Sequence, residues 1–312
     1  MVAASAVGLF PGQGSQRVGM GADLARDFPV ARRTFEEADE ALGLALSRLC
    51  FEGPEDALRL TEHAQPAILA ASVAAFRVLR ETAGFAPVAV AGHSLGEWSA
   101  LVAADAVGFA DAVRAVRERG RLMQEAVPVG AGAMAAVLGL DADVVAALCR
   151  EAAGGEVVAP ANENGGGQVV VAGHAAAVDR LVALASARGG RAQRLAVSAP
   201  FHCALMAPAA AGLETFLAGI AFVSPRIPVV TSVEARVVSS AAELPSLLVR
   251  QVTAPVRWEA TVRALARLGP AVALEVGPGR VLTGLLRRIE PGIRGLPAGD
   301  GAGIAAAREA LA

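Results

Sequence analysis

The chain holds 312 residues, with 28 basic against 30 acidic side chains, a formal charge of −2, 54% hydrophobic residues and only 4% aromatic ones. That balance describes a soluble, well-cored globular protein and excludes both a disordered chain and a nucleic-acid binder. Every basic residue is Arg and Tyr does not occur, which removes a Schiff-base lysine, a P-loop lysine, a pyridoxal-phosphate attachment and a phenolic acid or base.

In chain order, Ser5 to Phe10 reads as a short apolar strand that breaks into the glycine-rich turn Pro11-Gly12-Gln13-Gly14-Ser15. Helical patterns run from about Ala22 to Leu49 and from Gln65 to Glu81. Val88 to Ala91 is a second buried strand, followed at once by Gly92-His93-Ser94-Leu95-Gly96 and a helix from about Glu97. From Gly132 to Ser198 the order changes to strand Ala133–Leu140, helix Ala142–Ala153, strands Val157–Asn162 and Gln168–Ala172, helix Ala175–Arg188 and strand Ala192–Val197. The pattern then resumes with Pro228–Val233, Glu243–Val252, Trp258–Leu268, Val272–Val276 and Arg280–Ile289, and the Ala/Gly/Arg-rich tail after Pro297 reads as poorly ordered. Alternating strands and helices point to a parallel sheet with helices on both faces, and βαββαβ is the ferredoxin-like order. At this length a single core is near its practical limit. The expected fold is therefore α/β: an α/β-hydrolase-like large domain with a parallel sheet over residues 1–131 and 199–312, and an inserted ferredoxin-like small domain over 132–198.

Gly92-His93-Ser94-Leu95-Gly96 matches GxSxG between a predicted strand and a predicted helix. A nucleophile elbow needs small residues there, because the chain reverses sharply and lifts the Ser above the sheet; a plain turn whose Ser caps the helix is the competing interpretation. The helix start makes the Leu95 N–H an oxyanion donor. A serine at its free pKa needs a base. His93 is its immediate neighbour and should point elsewhere, while His63 and His174 read as structural. His202 follows Pro200 in the loop where the insert returns to the large domain, and such junctions form clefts. An ordinary hydrolase places its His near the chain end after a carboxylate, yet no His follows His202 and no orienting carboxylate is evident.

Arg119 lies on the helical run Val113–Val127. At about 100° per residue it falls roughly 70° from the centre of the apolar stripe, with Arg117 barely separated from it at roughly 90°, whereas Arg114 and Arg121 fall beyond about 130°. An Arg turned toward a core needs an anion, and a carboxylate suits it best; snorkelling to solvent or pairing with a protein carboxylate fits the periodicity equally well. Gly12-Gln13-Gly14 lacks the third Gly of a dinucleotide loop, since Arg17 stands there. Cys50, Cys149 and Cys203 form no CxxC, which argues against zinc or a disulfide framework. The first basic residue is Arg17, so a signal peptide is not expected, and free cysteines fit the cytoplasm. The uncharged run Leu195 to Leu213 contains Pro200, His202 and Pro208 and reads as a buried loop leading into a core helix, not as a membrane span.

Gly12-Gln13-Gly14-Ser15-Gln16, Gln65-Pro66-Ala67, Gly92-His93-Ser94-Leu95-Gly96-Glu97, Arg119-Gly120, Ser198-Ala199-Pro200-Phe201-His202 and Glu275-Val276-Gly277-Pro278-Gly279 together resemble the malonyl-CoA:acyl carrier protein transacylases and the acyltransferase domains of polyketide synthases. The resemblance spans about residues 5 to 297. It implies transfer of malonyl from malonyl-CoA to the phosphopantetheine thiol of a holo acyl carrier protein through a malonyl-serine, for fatty-acid or polyketide synthesis, with no cofactor, nucleic acid or membrane. By the same resemblance Ser94 attacks, His202 takes its proton, the backbone N–H groups of Gln13 and Leu95 hold the oxyanion, the backbone carbonyl of Gln251 orients the His, and Arg119 clamps the malonyl carboxylate. His93, Asn162, Asn164 and Phe201 are expected to line the cleft. Phe201 before the His is similar to malonyl-selective polyketide domains, and Trp98 stands where Tyr is common. The rival enzyme reading is a serine hydrolase or editing acyl-thioesterase on the same scaffold. A carrier-module attachment serine is disfavoured, because Ser94 follows a buried strand.

Overall fold

The structure, a computed structural model, describes residues 5–197 and 199–312; Ser198, the predicted last residue of the insert, lies outside the described residues. Ten strands form two sheets. A six-stranded sheet contains β1 (Ala6–Phe10), β2 (Ala89–Gly92), β7 (Val229–Val230), β8 (Val237–Val238), β9 (Val272–Glu275) and β10 (Arg294–Pro297), in the order β10-β9-β1-β2-β7-β8. All its pairs are parallel except β7 with β8 at one edge. A separate four-stranded antiparallel sheet contains β3 (Gly132–Leu138), β4 (Val158–Gly165), β5 (Gln168–His174) and β6 (Arg191–Arg194), in the order β4-β5-β3-β6.

Every residue of β1, β2 and β9 is buried, the continuous apolar reading that a parallel strand covered on both faces requires. Val7 and Leu9 pack with Val262, Leu265 and Leu285 on one face, while Ala6 and Phe10 join Ile68, Val73 and Trp98 on the other. The strand order reverses at β1, which has β2 on one side and β9 on the other. In such sheets the crevice outside the carboxyl ends of the strands is the binding position. Phe10 pairs with Gly92, so β1 and β2 end level and the two glycine-rich turns that follow them sit side by side. Strand β4 is tied to the segment before the helix Trp258–Ala266, where Val256 N–H donates to Ala161 O and Glu163 N–H donates to Val256 O, both at 2.9 Å.

Four boundaries differ from the sequence reading. The first long helical run is broken into Ala22–Asp27, Pro29–Leu42 and Leu46–Glu52. Pro29 opens the second piece and Gly43, in the left-handed region at φ 63°, closes it. The next long helix begins at Thr61, four residues before the predicted start, and contains Pro66. So close to a helix N-terminus the proline forfeits only one ladder bond. Strand β6 ends at Arg194, three residues before the predicted end, and Leu195 to Val197 line the cleft described below. The tail is ordered: Gly301–Leu311 is helical, Asp300 caps it by accepting from Gly303 N–H at 2.9 Å, and Ile304 and Ala307 are buried one turn apart. The helix is marked by that cap and that pair, which the alanine-rich composition disguised.

Candidate active site

The turn after β2 is as sharp as the sequence demanded. Ser94 sits at φ 51°, a strained value for a residue with a side chain. A Cβ on Gly92 would lie 1.9 Å from the carbonyl carbon of Gly96, and one on Gly96 would lie 2.0 Å from the carbonyl oxygen of Phe10. Only glycine fits at either position. The helix Gly96–Ala103 starts directly afterward, and among the described residues the N–H groups of Leu95 and Gln13 donate to no protein acceptor.

His202 is brought from the junction loop to this turn. Ser94 Oγ lies 2.8 Å from His202 Nε2, and His202 Nδ1 lies 2.7 Å from the backbone oxygen of Gln251. A carbonyl only accepts, so Nδ1 carries the hydrogen and Nε2 holds the lone pair that receives the Ser94 hydroxyl. Burial first, and then the positive charge of Arg119, push the His202 pKa down to about 3. The imidazole is therefore neutral at pH 7, the form able to take a proton. His202 is also at positive φ, 61°, so strained backbone stands on both sides of the Ser–His contact.

Arg119, on the helix Phe109–Glu125, is 1% exposed. Its Nη1 donates to Gln65 Oε1 at 2.8 Å, and its Nη2 donates to Gln251 Oε1 at 2.9 Å and to Ser94 Oγ at 3.0 Å. Its buried Nε has no partner among the described residues. Burial lowers its pKa to about 10, opposed by Glu97, so it remains a cation at neutral pH. The snorkelling alternative is thus excluded: the guanidinium is held by neutral amides, and it has no direct ion pair among the described residues. The nearest negative charge is one residue behind. Glu97 Oε2 accepts from Ser232 N–H at 3.0 Å, from Ser232 Oγ–H at 2.7 Å and from Gln251 Nε2 at 2.8 Å. Burial pushes the Glu97 carboxyl up, and these donors together with Arg119 pull against that shift.

A cleft of about 820 Å³ opens over these groups, lined by Gln13, Ser94, Leu95, Arg119, Phe201 and His202 among others. Asn162 and His93 also line it. Asn164 instead lies behind it and accepts from His93 Nε2 at 2.9 Å, which turns the imidazole away from Ser94. His63 contacts the Ala57 carbonyl at 2.9 Å, and His174 accepts from Val157 N–H at 2.9 Å. Both are structural. Cys50, Cys149 and Cys203 are buried, free thiols. Among the described residues no three of His, Cys, Asp or Glu gather where a metal ion would need them.

Sequence reasoning assigned no role to Gln65, Glu97 or the side chain of Gln251. The one available signal was Glu97 itself, a carboxylate opening a helix whose next five residues, Trp98 to Val102, carry no charge.

The arrangement joins a strained serine, a neutral imidazole, two free N–H groups and a buried cation in one cleft. Residues 7–290 match the family model described as Acyl transferase domain. The chain belongs to this acyltransferase family. The malonyl CoA-acyl carrier protein transacylase of Escherichia coli (strain K12) is 52% identical to this acyltransferase over 282 residues, covering 90% of this chain and 91% of that one. The solved structure of the malonyl CoA-acyl carrier protein transacylase from Coxiella burnetii is similar to it with a TM-score of 0.97 and 42% identity, covering 99% of this chain and 98% of the other. A malonyl-transacylase solved in complex with its type II PKS acyl-carrier protein matches with a TM-score of 0.96 and 49% identity, over 98% of this acyltransferase and 99% of that chain.

Proposed function

We propose that this acyltransferase moves a malonyl group from malonyl-CoA to the phosphopantetheine thiol of an acyl carrier protein through a malonyl ester on Ser94. The observation that carries this reading is the position of Arg119: a buried guanidinium with a free Nε stands 3.0 Å from the serine hydroxyl. A carboxylate two carbons from a thioester carbonyl would reach the cation while its carbonyl carbon reaches Oγ.

In the first half-reaction Ser94 Oγ bonds to the thioester carbon as its proton passes to His202 Nε2. The developing oxyanion is held by the N–H groups of Gln13 and Leu95. The carbon–sulfur bond breaks, and coenzyme A leaves with the proton from His202. The second half-reaction reverses these steps with the carrier thiol as nucleophile. Gln251 O holds the imidazole in the required tautomer, the task a carboxylate performs in other serine enzymes. Thioester enters and thioester leaves, so the exchange calls for no redox or metal cofactor. Phe201 lines the cleft beside His202.

The fold supports the same reading. The largely parallel sheet with a strained serine turn after β2 fits an α/β-hydrolase-like domain over residues 1–131 and 199–312, and the β4-β5-β3-β6 order fits a ferredoxin-like insert over 132–198. Among the described residues no helix is long and apolar enough to cross a membrane, and three free thiols accord with work in the cytoplasm.

Intact-mass measurement after mixing with malonyl-CoA tests the reading. A malonyl adduct that Ser94→Ala abolishes is expected, and an adduct that survives in Ser94→Ala would refute the assignment of the nucleophile.

A further inference from the structure

We infer that the carboxylate of the acyl group switches on the nucleophile, because two-pronged binding at Arg119 removes the hydrogen bond by which the empty site restrains Ser94 Oγ. The inference rests on the malonyl-transfer reading above and concerns how the same site tells acyl groups apart.

The guanidinium hydrogens are the limiting resource of the site. A guanidinium offers a carboxylate two edges, Nη1 with Nη2 and Nε with Nη2, and both edges use Nη2. In the empty site both Nη2 hydrogens are committed, one to Gln251 Oε1 at 2.9 Å and one to Ser94 Oγ at 3.0 Å. The unpartnered, buried Nε marks the edge that awaits an anion. A bidentate carboxylate must therefore displace either Gln251 or Ser94.

Gln251 is fixed and Ser94 is not. The two Gln251 Nε2 hydrogens go to Glu97 Oε2 at 2.8 Å and Ser94 O at 3.1 Å, with Ser232 Oγ 3.3 Å away, and the residue is fully buried. Turning it would strip donors from a buried carboxylate, a larger loss than one hydrogen bond to a hydroxyl. Arg119 and Ser94 line the cleft, whereas Gln251 and Glu97 lie behind it, so an incoming carboxylate meets the Ser94 side of the guanidinium. Glu97 acts through Gln251 and is a positioning residue.

The chemical consequence is direct. A hydroxyl oxygen that accepts from a guanidinium has one of its two lone pairs tied to a cation and is a weaker nucleophile than a free one. When the malonyl carboxylate takes Nη2, that lone pair is free to form the oxygen–carbon bond, the hydroxyl proton goes to His202 Nε2, and the thioester's carbon–sulfur electron pair leaves with coenzyme A. An acetyl group carries no carboxylate and leaves the restraint in place. Discrimination against it therefore appears in the maximal acylation rate as well as in affinity.

Formate, the smallest carboxylate, separates the two effects when saturating acetyl-CoA is the acyl donor. Single-turnover acetylation of Ser94, followed by intact mass, is expected to rise about tenfold with formate, the scale of one charge-assisted hydrogen bond. Arg119→Met is expected to acetylate faster than the parent enzyme and to ignore formate. In a crystal of the formate complex, Ser94 Oγ should be out of hydrogen-bond reach of Nη2 while the Gln251 contact persists. Formate that leaves the parent rate unchanged or only inhibits it, or a formate complex that keeps the Arg119–Ser94 bond, overturns the inference. A malonyl-CoA control on the same preparation keeps the outcomes distinct: a malonyl adduct on Ser94 upholds the transfer reading whatever formate does, and its absence removes that reading independently.

Discussion

Replacing Gln251 by Met separates the work of its side chain from that of its backbone. Met fills nearly the same volume and keeps the main-chain carbonyl that lies 2.7 Å from His202 Nδ1, but it removes the amide bonds to Arg119 and Glu97. Hydrogen bonds to charged groups contribute about 1.5–3 kcal/mol each, so the two together set an upper range of about 3–6 kcal/mol. Closure of Arg119 onto Glu97 recovers part of this, leaving a net loss of roughly 3 kcal/mol, or about 6–12 °C in Tm on the scale of mid-sized domains. That closure withdraws the guanidinium from the cleft. Malonyl loading should fall at least about tenfold, the cost of one charge-assisted contact, while acetyl loading rises, because the withdrawn guanidinium no longer restrains Ser94 Oγ and the imidazole is still held. The assay is competitive loading from mixed malonyl- and acetyl-CoA, read by intact mass beside a thermal melt. A folded Gln251→Met enzyme with an unchanged malonyl-to-acetyl preference would refute the claim that this amide positions Arg119.

The remaining predictions concern the imidazole and the elbow. With its pKa lowered to about 3, His202 should stay a competent base well below pH 6.5, placing the acid limb of kcat/KM for acylation far below that of an ordinary histidine. Arg119→Met should move this limb upward, and a limb near 6.5 in the parent enzyme contradicts the buried, cation-facing imidazole. The same shift sets a stability slope: between about pH 6.5 and 3 the unfolded chain binds the proton and the folded chain does not, so this stabilising contribution is present at neutral pH and is lost as pH falls. In Gly96→Ala the new Cβ would sit 2.0 Å from the Phe10 carbonyl oxygen, a backbone clash expected to cost about 3 kcal/mol or more in urea unfolding. A variant within about 0.5 kcal/mol of the parent would show that the turn is not close-packed.

Features written in local sequence were legible, and those made by distant partners were not. The elbow announces itself because a strand, two glycines and a helix start are contiguous around Ser94. Helical phase set Arg119 apart from Arg114 and Arg121 but barely from Arg117, so its role came from the family resemblance, while His202 stood out by its position at a junction. By contrast, the bond from Arg119 to Gln65 crosses 54 positions and that from Gln251 to Glu97 crosses 154. Neutral amides leave no periodic or charge signal to mark such partners, and the Gln251 carbonyl was reached only through family resemblance. The terminal helix was obscured for another reason. An alanine-rich composition reads as featureless unless the Asp300 cap and the Ile304–Ala307 pair are weighed together.

The most direct test isolates the malonyl-enzyme, removes free coenzyme A and follows the label after adding holo acyl carrier protein. Transfer from Ser94 to the carrier thiol, faster than release of free malonate and lost in Ser94→Ala, is the predicted result. Malonate appearing at the rate the adduct decays, unchanged by the carrier protein, would contradict it and mark the enzyme as a hydrolase.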